Sequence, residues 1–130
     1  MTAFSDAEPD LLIVIGLWLG YVLDAVERRS PHTKVPAFEP LPDTLVPMFE
    51  RRDWREWIGS GRLTLLYGPD FAGASDAWKL VDGRAKAPVI IVHPVLKREF
   101  SNETEKALVL ARSAISGAQA NAEARRRFTG

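Results

Sequence analysis

The chain is 130 residues long; 17 Lys and Arg residues balance 17 Asp and Glu residues, and 46% of its residues are hydrophobic. This length suits a single compact domain with a core of its own. The absence of cysteine excludes disulfide scaffolds and cysteine-ligated zinc sites. A formal net charge of zero argues against a protein that mainly binds nucleic-acid phosphates.

The segment from Leu11 to Leu23 is apolar and carries no charge. It is shorter than the stretch of about 20 residues that a membrane-spanning helix needs. It also follows acidic residues instead of the basic region of a signal peptide, namely Asp6, Glu8 and Asp10. We therefore expect neither a membrane anchor nor an export signal, and a chain without cysteine is then expected in the cytoplasm.

The first predicted elements form a β-α unit. A strand is predicted over 11–16, where an apolar run rich in β-branched residues stops at a glycine. A turn leads into a helix over 21–29, which has apolar residues at helical spacing and two arginines at its end. The second strand is predicted over 34–39. It contains Pro36, which has no N–H for a sheet hydrogen bond and therefore suits an edge or a strand end.

The rest of the chain continues the alternation of helices and strands. An amphipathic helix is predicted over 44–52 with Pro47 in its first turn, and Asp53 with Glu56 marks the start of another helical turn. Tryptophans on the helical segments are predicted to be core or interface anchors: Trp54, Trp57 and Trp78. The later elements are a strand over 62–67, a helix over 75–81, a strand over 88–93, and a helix over 102–127 with Asn102 and Glu105 as its capping box.

This pattern predicts an α/β fold, a small Rossmann-like three-layer α/β/α sandwich formed by residues 1–130, with a mainly parallel four-stranded sheet. Right-handed crossovers place the first strand in its centre. The fourth strand then becomes an edge although it is apolar on both faces, and such edges pair with other strands. We therefore predict a homo-oligomer that uses this edge or the long helix. Alanines from Ala107 to Ala122 would let that helix approach its own sheet or a partner copy closely.

Ligands of such sheets bind beyond the carboxyl ends of the strands, which selects the candidate binding residues. Gly16 and Gly20 let the backbone approach a ligand, while Trp18 stands where a small residue would leave room. Glu39 ends the second strand at about the 20-residue distance at which an acidic side chain accepts hydrogen bonds from ribose. Each assignment has a structural alternative: tight-turn geometry alone explains the glycines, and Glu39 is otherwise a solvated strand end.

Two residues are candidates for catalysis. His93 follows the fourth strand as a candidate general base, and its alternative role is packing or hydrogen bonding within the fold. Asp70 follows Gly68-Pro69 and either faces a ligand or serves as a turn or capping residue. No second ligand accompanies the histidine, so we predict no metal site.

Several of these motifs occur together in one known family. They are Gly16-Leu17-Trp18-Leu19-Gly20-Tyr21, Phe38-Glu39-Pro40, Arg51-Arg52-Asp53-Trp54, Arg62-Leu63-Thr64-Leu65-Leu66-Tyr67-Gly68-Pro69-Asp70 and His93-Pro94. Over roughly residues 11–97 the chain resembles the methyltransferase-like Rossmann domain of the motility accessory factor and 6-hydroxymethylpterin diphosphokinase-like proteins. It is similar also to the N-terminal domains of spore-maturation-type glycosyltransferases.

The resemblance implies a Rossmann-like fold, shared distantly with S-adenosylmethionine-dependent methyltransferases, and a ligand of the nucleotide type. S-adenosylmethionine is the cofactor that it suggests, and an enzyme of this kind would transfer a methyl or glycosyl group. The family pattern has a glycine where this chain has Trp18. An indole at that position fills the space of the cofactor's amino-acid or phosphate part.

Two functions follow from these observations. The first is a nucleotide- or S-adenosylmethionine-binding module held by Gly16, Trp18, Gly20 and Glu39. The second is a degenerate, non-catalytic oligomeric interaction protein. The charge balance disfavours a third reading as a nucleic-acid binder, because the run Arg125–Arg127 is most simply a solvated helix end.

Overall fold

The computed structural model describes residues 10–30, 32–68, 71 and 88–129, so the predicted helix over 75–81 and Asp70 lie outside the described residues. Within the described ranges, no helix is both long and apolar enough to span a membrane. A 3₁₀ turn, Pro42–Thr44, precedes the second helix. The elements are β1 (Leu12–Ile15), α1 (Tyr21–Arg29), β2 (Val35–Glu39), α2 (Leu45–Arg51), α3 (Arg55–Gly59), β3 (Leu63–Tyr67), β4 (Val89–Val92), α4 (Pro94–Glu99) and α5 (Ser101–Thr129).

The four strands form one all-parallel sheet in the order β3-β2-β1-β4. This order confirms the predicted Rossmann-like α/β fold with β1 in the interior. The chain crosses from one half of the sheet to the other between β3 and β4, so β1 and β4 are neighbours at the point where the strand order reverses. The carboxyl ends of β1, β2 and β4 therefore meet at one edge of the sheet, where ligands of such folds bind.

Both faces of the sheet are covered, which explains why its central strand is apolar throughout. Leu12 and Val14 of β1 pack into a core with α1, α2 and α3. Ile13 and Ile15 point the other way and pack against α4 and α5. The resulting three layers account for the continuous burial of β1. Trp54 and Trp57 are buried in the first core, as predicted for core anchors.

The long helix α5 packs on its own sheet, which decides between the two predicted uses of its alanines. The alanines that face β1 are buried and lie three or four residues apart: Ala107, Ala111, Ala114 and Ala118. Their small side chains bring the helix backbone close to the sheet. This stripe is therefore part of the core along its buried length.

Of the two positions predicted for Pro36, an edge or a strand end, the structure shows the second, because β2 lies between β1 and β3 and Pro36 is its second residue. Val35 N–H donates to Arg62 on the β3 side, so the alternation of a parallel strand turns Pro36 toward β1. On that side the pairing stops after Val14–Ala37 and resumes only as an isolated bridge between Leu11 and Lys34. An interior strand therefore tolerates the proline at the cost of a gap in one ladder.

Helix α4 was not predicted, and α5 begins one residue earlier than expected. Pro94 occupies the first turn of α4, where a missing N–H costs nothing, and His93 is its N-cap. Phe100 alone separates α4 from α5, so Asn102 lies inside α5 and not at the predicted cap position. The junction is held instead by Thr104, whose hydroxyl donates to the Leu96 carbonyl over 3.0 Å.

Candidate functional site

The carboxyl ends of the strands bring most of the predicted site residues together. They line a crevice between the β1–α1 turn and the start of α4, formed by Gly16, Trp18, Glu39, Leu41, His93 and Leu96. Its volume is about 10 Å³, which is about the space that one water requires. Gly16, Trp18, Glu39 and His93 therefore lie together, and the side chains around the crevice fill it.

Close packing accounts for both glycines of the turn. Gly16 has φ of 88°, and a Cβ atom there would lie 2.9 Å from the His93 Cβ and 3.1 Å from a Leu96 methyl group. Gly20 has φ of 82°, and its Cβ would lie 2.8 Å from the Trp54 ring. A side chain at either position would thus meet both an unfavourable backbone conformation and an occupied space. The glycines let α4 and α2–α3 approach the turn.

Glu39 is a buried carboxylate that binds the backbone on both sides of it. The residue is 2% exposed. One oxygen accepts a hydrogen bond from Leu17 N–H over 3.0 Å, and the other accepts one from Leu41 N–H over 3.2 Å. In this geometry the carboxylate ties the β1–α1 turn to the segment that follows β2. It is not the solvated strand end that was the alternative to ribose binding.

Trp18 is held in a left-handed backbone conformation, with φ of 51°. For a residue other than glycine this conformation costs about 1–2 kcal/mol. The indole meets the His93 ring edge-on, with 4.7 Å between ring centroids, and such a contact contributes about 0.5–1.5 kcal/mol. The energetic cost of the backbone conformation and the gain from the ring contact are of similar size. The residue remains 40% exposed.

His93 has a structural role at the start of α4. Its Nδ1 accepts a hydrogen bond from Val95 N–H over 3.2 Å, which caps the helix. Burial lowers the pKa of His93 below its ordinary value of 6.5, because desolvation disfavours the charged imidazolium. The neutral ring that caps α4 is also the form that burial favours. Among the described residues, no cluster of three or more His, Asp or Glu residues could hold a metal ion.

A larger pocket lies on the other side of Trp18, and the sequence analysis missed it. This Trp18–Tyr21 pocket has a volume of about 380 Å³ and is lined by Trp18, Leu19, Tyr21, Thr44 and Pro47. It joins the turn after β1 to the start of α2, so its walls come from segments that are distant in sequence. The only sequence signal was the pair of aromatic residues three positions apart at the start of α1.

Arg51 fixes two walls of this pocket. Its Nε donates to the Leu19 carbonyl over 2.7 Å, and its guanidinium lies 4.4 Å from the centre of the Tyr21 ring. A salt bridge of 2.9 Å to Asp24 neutralises its charge. Among the described residues that line the pocket there is no carboxylate, imidazole or amine. Such a surface can stack against a planar ring.

A charged cluster on the α1–α3 face is accounted for by its own internal contacts. Arg52 binds Asp24 over 2.8 Å and also pairs with Glu27, which accepts a further hydrogen bond from the Trp57 indole. These two hydrogen bonds, from Arg52 first and then from Trp57, lower the pKa of Glu27. The guanidinium of Arg62 lies 4.0 Å from the centre of the Trp57 ring. The cluster joins α1, α2 and α3.

Comparison with known proteins adds no relative to this description. No protein-family model matches the chain, and no curated protein matches it significantly. The function therefore has to be argued from the geometry above and from the motifs in the sequence.

Replacing Glu39 with glutamine tests the structural role of this carboxylate. An amide has one oxygen, so one of the two backbone N–H groups would face an NH₂ group and lose its acceptor. We expect a loss of about 1–3 kcal/mol in the free energy of unfolding, which is the typical cost of a buried unsatisfied polar group. The measurement is urea denaturation. The matched control is Glu50→Gln, the same change at an exposed carboxylate of α2, which should stay within about 0.5 kcal/mol. Equal stabilities of Glu39→Gln and the wild type would contradict the role.

The His93 cap predicts a pH dependence of stability. The pKa of this imidazole is lower in the folded protein than in the unfolded chain, so the unfolded chain binds more protons below about pH 6.5. Stability should therefore fall as the pH decreases from 6.5 toward the folded pKa, and it should be fully retained above 6.5. Urea denaturation between about pH 5 and 7.5 measures this slope. His93→Gln should remove the contribution, whereas the exposed His32→Gln should leave it unchanged.

Proposed function

We propose that this Rossmann-like domain is a non-catalytic binding module for a nucleotide-type ligand, whose planar ring stacks on Trp18 and Tyr21. The observation that carries the proposal is the contrast between the two cavities that meet at Trp18. The crevice over Glu39 measures about 10 Å³, and the Trp18–Tyr21 pocket measures about 380 Å³. Small-molecule sites begin at about 300 Å³, so only the second cavity has room for a ring.

The chemistry of the pocket supports a planar ligand. Trp18 and Tyr21 are 40% and 62% exposed and present aromatic faces at the carboxyl edge of the sheet. Stacking of a base on such a ring contributes about 1–3 kcal/mol and does not depend on which base is bound. The resemblance of the glycine turn and of Phe38-Glu39-Pro40 to nucleotide-type Rossmann domains favours the same ligand class. S-adenosylmethionine belongs to this class through its adenine ring.

The same geometry argues for binding without catalysis. Both oxygens of Glu39 and the Nδ1 atom of His93 accept hydrogen bonds from backbone N–H groups that hold the fold. The methyl or glycosyl transfer that the resemblance implies would need a group free to move a proton or to position a second substrate. We propose that the described residues supply recognition only, in a protein that acts in the cytoplasm.

A ligand panel tests the proposal. Thermal unfolding is measured with S-adenosylmethionine, S-adenosylhomocysteine, adenosine monophosphate and UDP-glucose. A ligand at about 100 times its Kd stabilises the protein by about 2.7 kcal/mol. Tyr21→Ala should weaken binding by the stacking energy of about 1–3 kcal/mol. Phe49→Ala is the matched control, because this aromatic residue is 43% exposed and does not line the pocket.

Two results would refute the proposal. One is an unchanged melting temperature with every ligand of the panel. The other is an equal loss of affinity in Tyr21→Ala and Phe49→Ala. That result would mean that the loss does not come from a contact between the ligand and the pocket lining.

A second candidate function is assembly through β4, the edge of the described sheet. Val89 and His93 donate to β1, so the alternation of a parallel strand turns the N–H groups of Ile90 and Val92 away from it. All four residues of the strand are apolar and only half-buried. The strand carries none of the devices that protect an edge, such as a lysine, a proline or a bulge. A second copy paired there would extend the sheet.

Sedimentation velocity tests this second function. The wild type should sediment as a dimer at micromolar concentration, and Ile90→Lys should shift it to the monomer because a charged edge resists pairing. Val109→Lys is the control, since this residue is 53% exposed on the outer face of α5. Thermal unfolding of each variant confirms that it is folded. A monomeric wild type would reject assembly through β4.

A further inference from the structure

The two cavities at the carboxyl edge of the sheet share Trp18 as a lining residue. On one side it lines the closed crevice with Glu39 and His93, and on the other it lines the Trp18–Tyr21 pocket. The indole is therefore the wall between a space that holds about one water and a space that can hold a ring. Moving it would join the two.

The Trp18 side chain has room to rotate, because the residue is 40% exposed. The backbone of Trp18 is in a left-handed conformation that its side chain disfavours, with φ of 51°. The Trp18 ring makes an edge-on aromatic contact with His93. The turn that carries it has a glycine at each end, Gly16 and Gly20, whose φ angles are likewise positive. A rotation of the indole about its side-chain bonds would break the contact with His93 and leave the hydrogen bonds that hold Leu17 and Leu19 in place.

We propose that Trp18 is a gate, and that its outward rotation opens the crevice over Glu39 and His93 to the Trp18–Tyr21 pocket. In the closed arrangement the pocket accepts a ring alone. In the open arrangement the crevice receives the part of the ligand that is attached to the ring. The ligand in this inference rests on the proposed function, whereas the gate is a property of the protein and can be tested without any ligand.

The absence of cysteine in the chain allows a site-specific test. Leu96 lines the crevice and is buried, so Leu96→Cys places a single thiol behind the gate. Its alkylation by iodoacetamide is compared with that of Ser116→Cys, which is exposed on α5. A minor open state populated at about 0.1–10% slows the reaction about 10- to 1,000-fold. Adding Trp18→Gly should remove most of this protection.

A third cysteine separates gate opening from global unfolding. Leu23 is fully buried in the core on the opposite face of the sheet, so Leu23→Cys reacts only when the protein unfolds. The gate predicts that Leu96→Cys reacts faster than Leu23→Cys, and that Trp18→Gly accelerates the first thiol alone. If Trp18→Gly does not fold, Trp18→Ala serves the same purpose. Equal rates for the two buried thiols, or no effect of the Trp18 substitution, would overturn the gate while leaving ring binding in the pocket untouched.

Discussion

The carboxyl edge of the sheet, where the strands β1, β2 and β4 end, depends on one buried carboxylate. Glu39 accepts hydrogen bonds from Leu17 N–H and Leu41 N–H, so a single side chain fixes the chain leaving β1 against the chain leaving β2. Charge-assisted hydrogen bonds of this kind are about twice as strong as neutral ones. By holding Leu17, the carboxylate also sets where the next residue goes, and the next residue is Trp18.

The position of Trp18 then determines the shape of this edge. Trp18 adopts a left-handed backbone conformation of the kind that glycine favours, like Gly16 and Gly20 at the two ends of the turn. The indole has to fit the space that this conformation leaves. One side of the ring closes the crevice that a Rossmann-like sheet normally offers to a ligand. The other side, with Tyr21 and Arg51, forms a new apolar surface. A single side chain thus lines both the closed crevice over Glu39 and the aromatic pocket beside it.

The sequence was informative where structure is local and uninformative where it depends on distant partners. The uniform apolar run of β1 and the spacing of α1 follow from neighbouring residues, and both elements lie where they were predicted. The sequence left two positions open for Pro36, because an edge strand and a ladder gap near the end of an interior strand look alike in sequence. Glu39 was correctly placed at the end of the second strand, but its hydrogen bonds depend on a turn that comes 22 residues earlier. The contact of Arg51 with Leu19 likewise joins segments that no local pattern connects.

The length of α5 divides it into two parts with different sources of stability. A helix of 29 residues is about 43 Å long, whereas its buried alanine stripe ends at Ala118. Up to that residue the helix is held by the sheet. Beyond it, the exposed turns rely on backbone hydrogen bonds and on pairs such as Glu123–Arg127, which contribute only a few tenths of a kcal/mol. Amide hydrogens should therefore exchange with solvent progressively faster along these last turns, and a cooperative boundary within one continuous helix lies near Ala118.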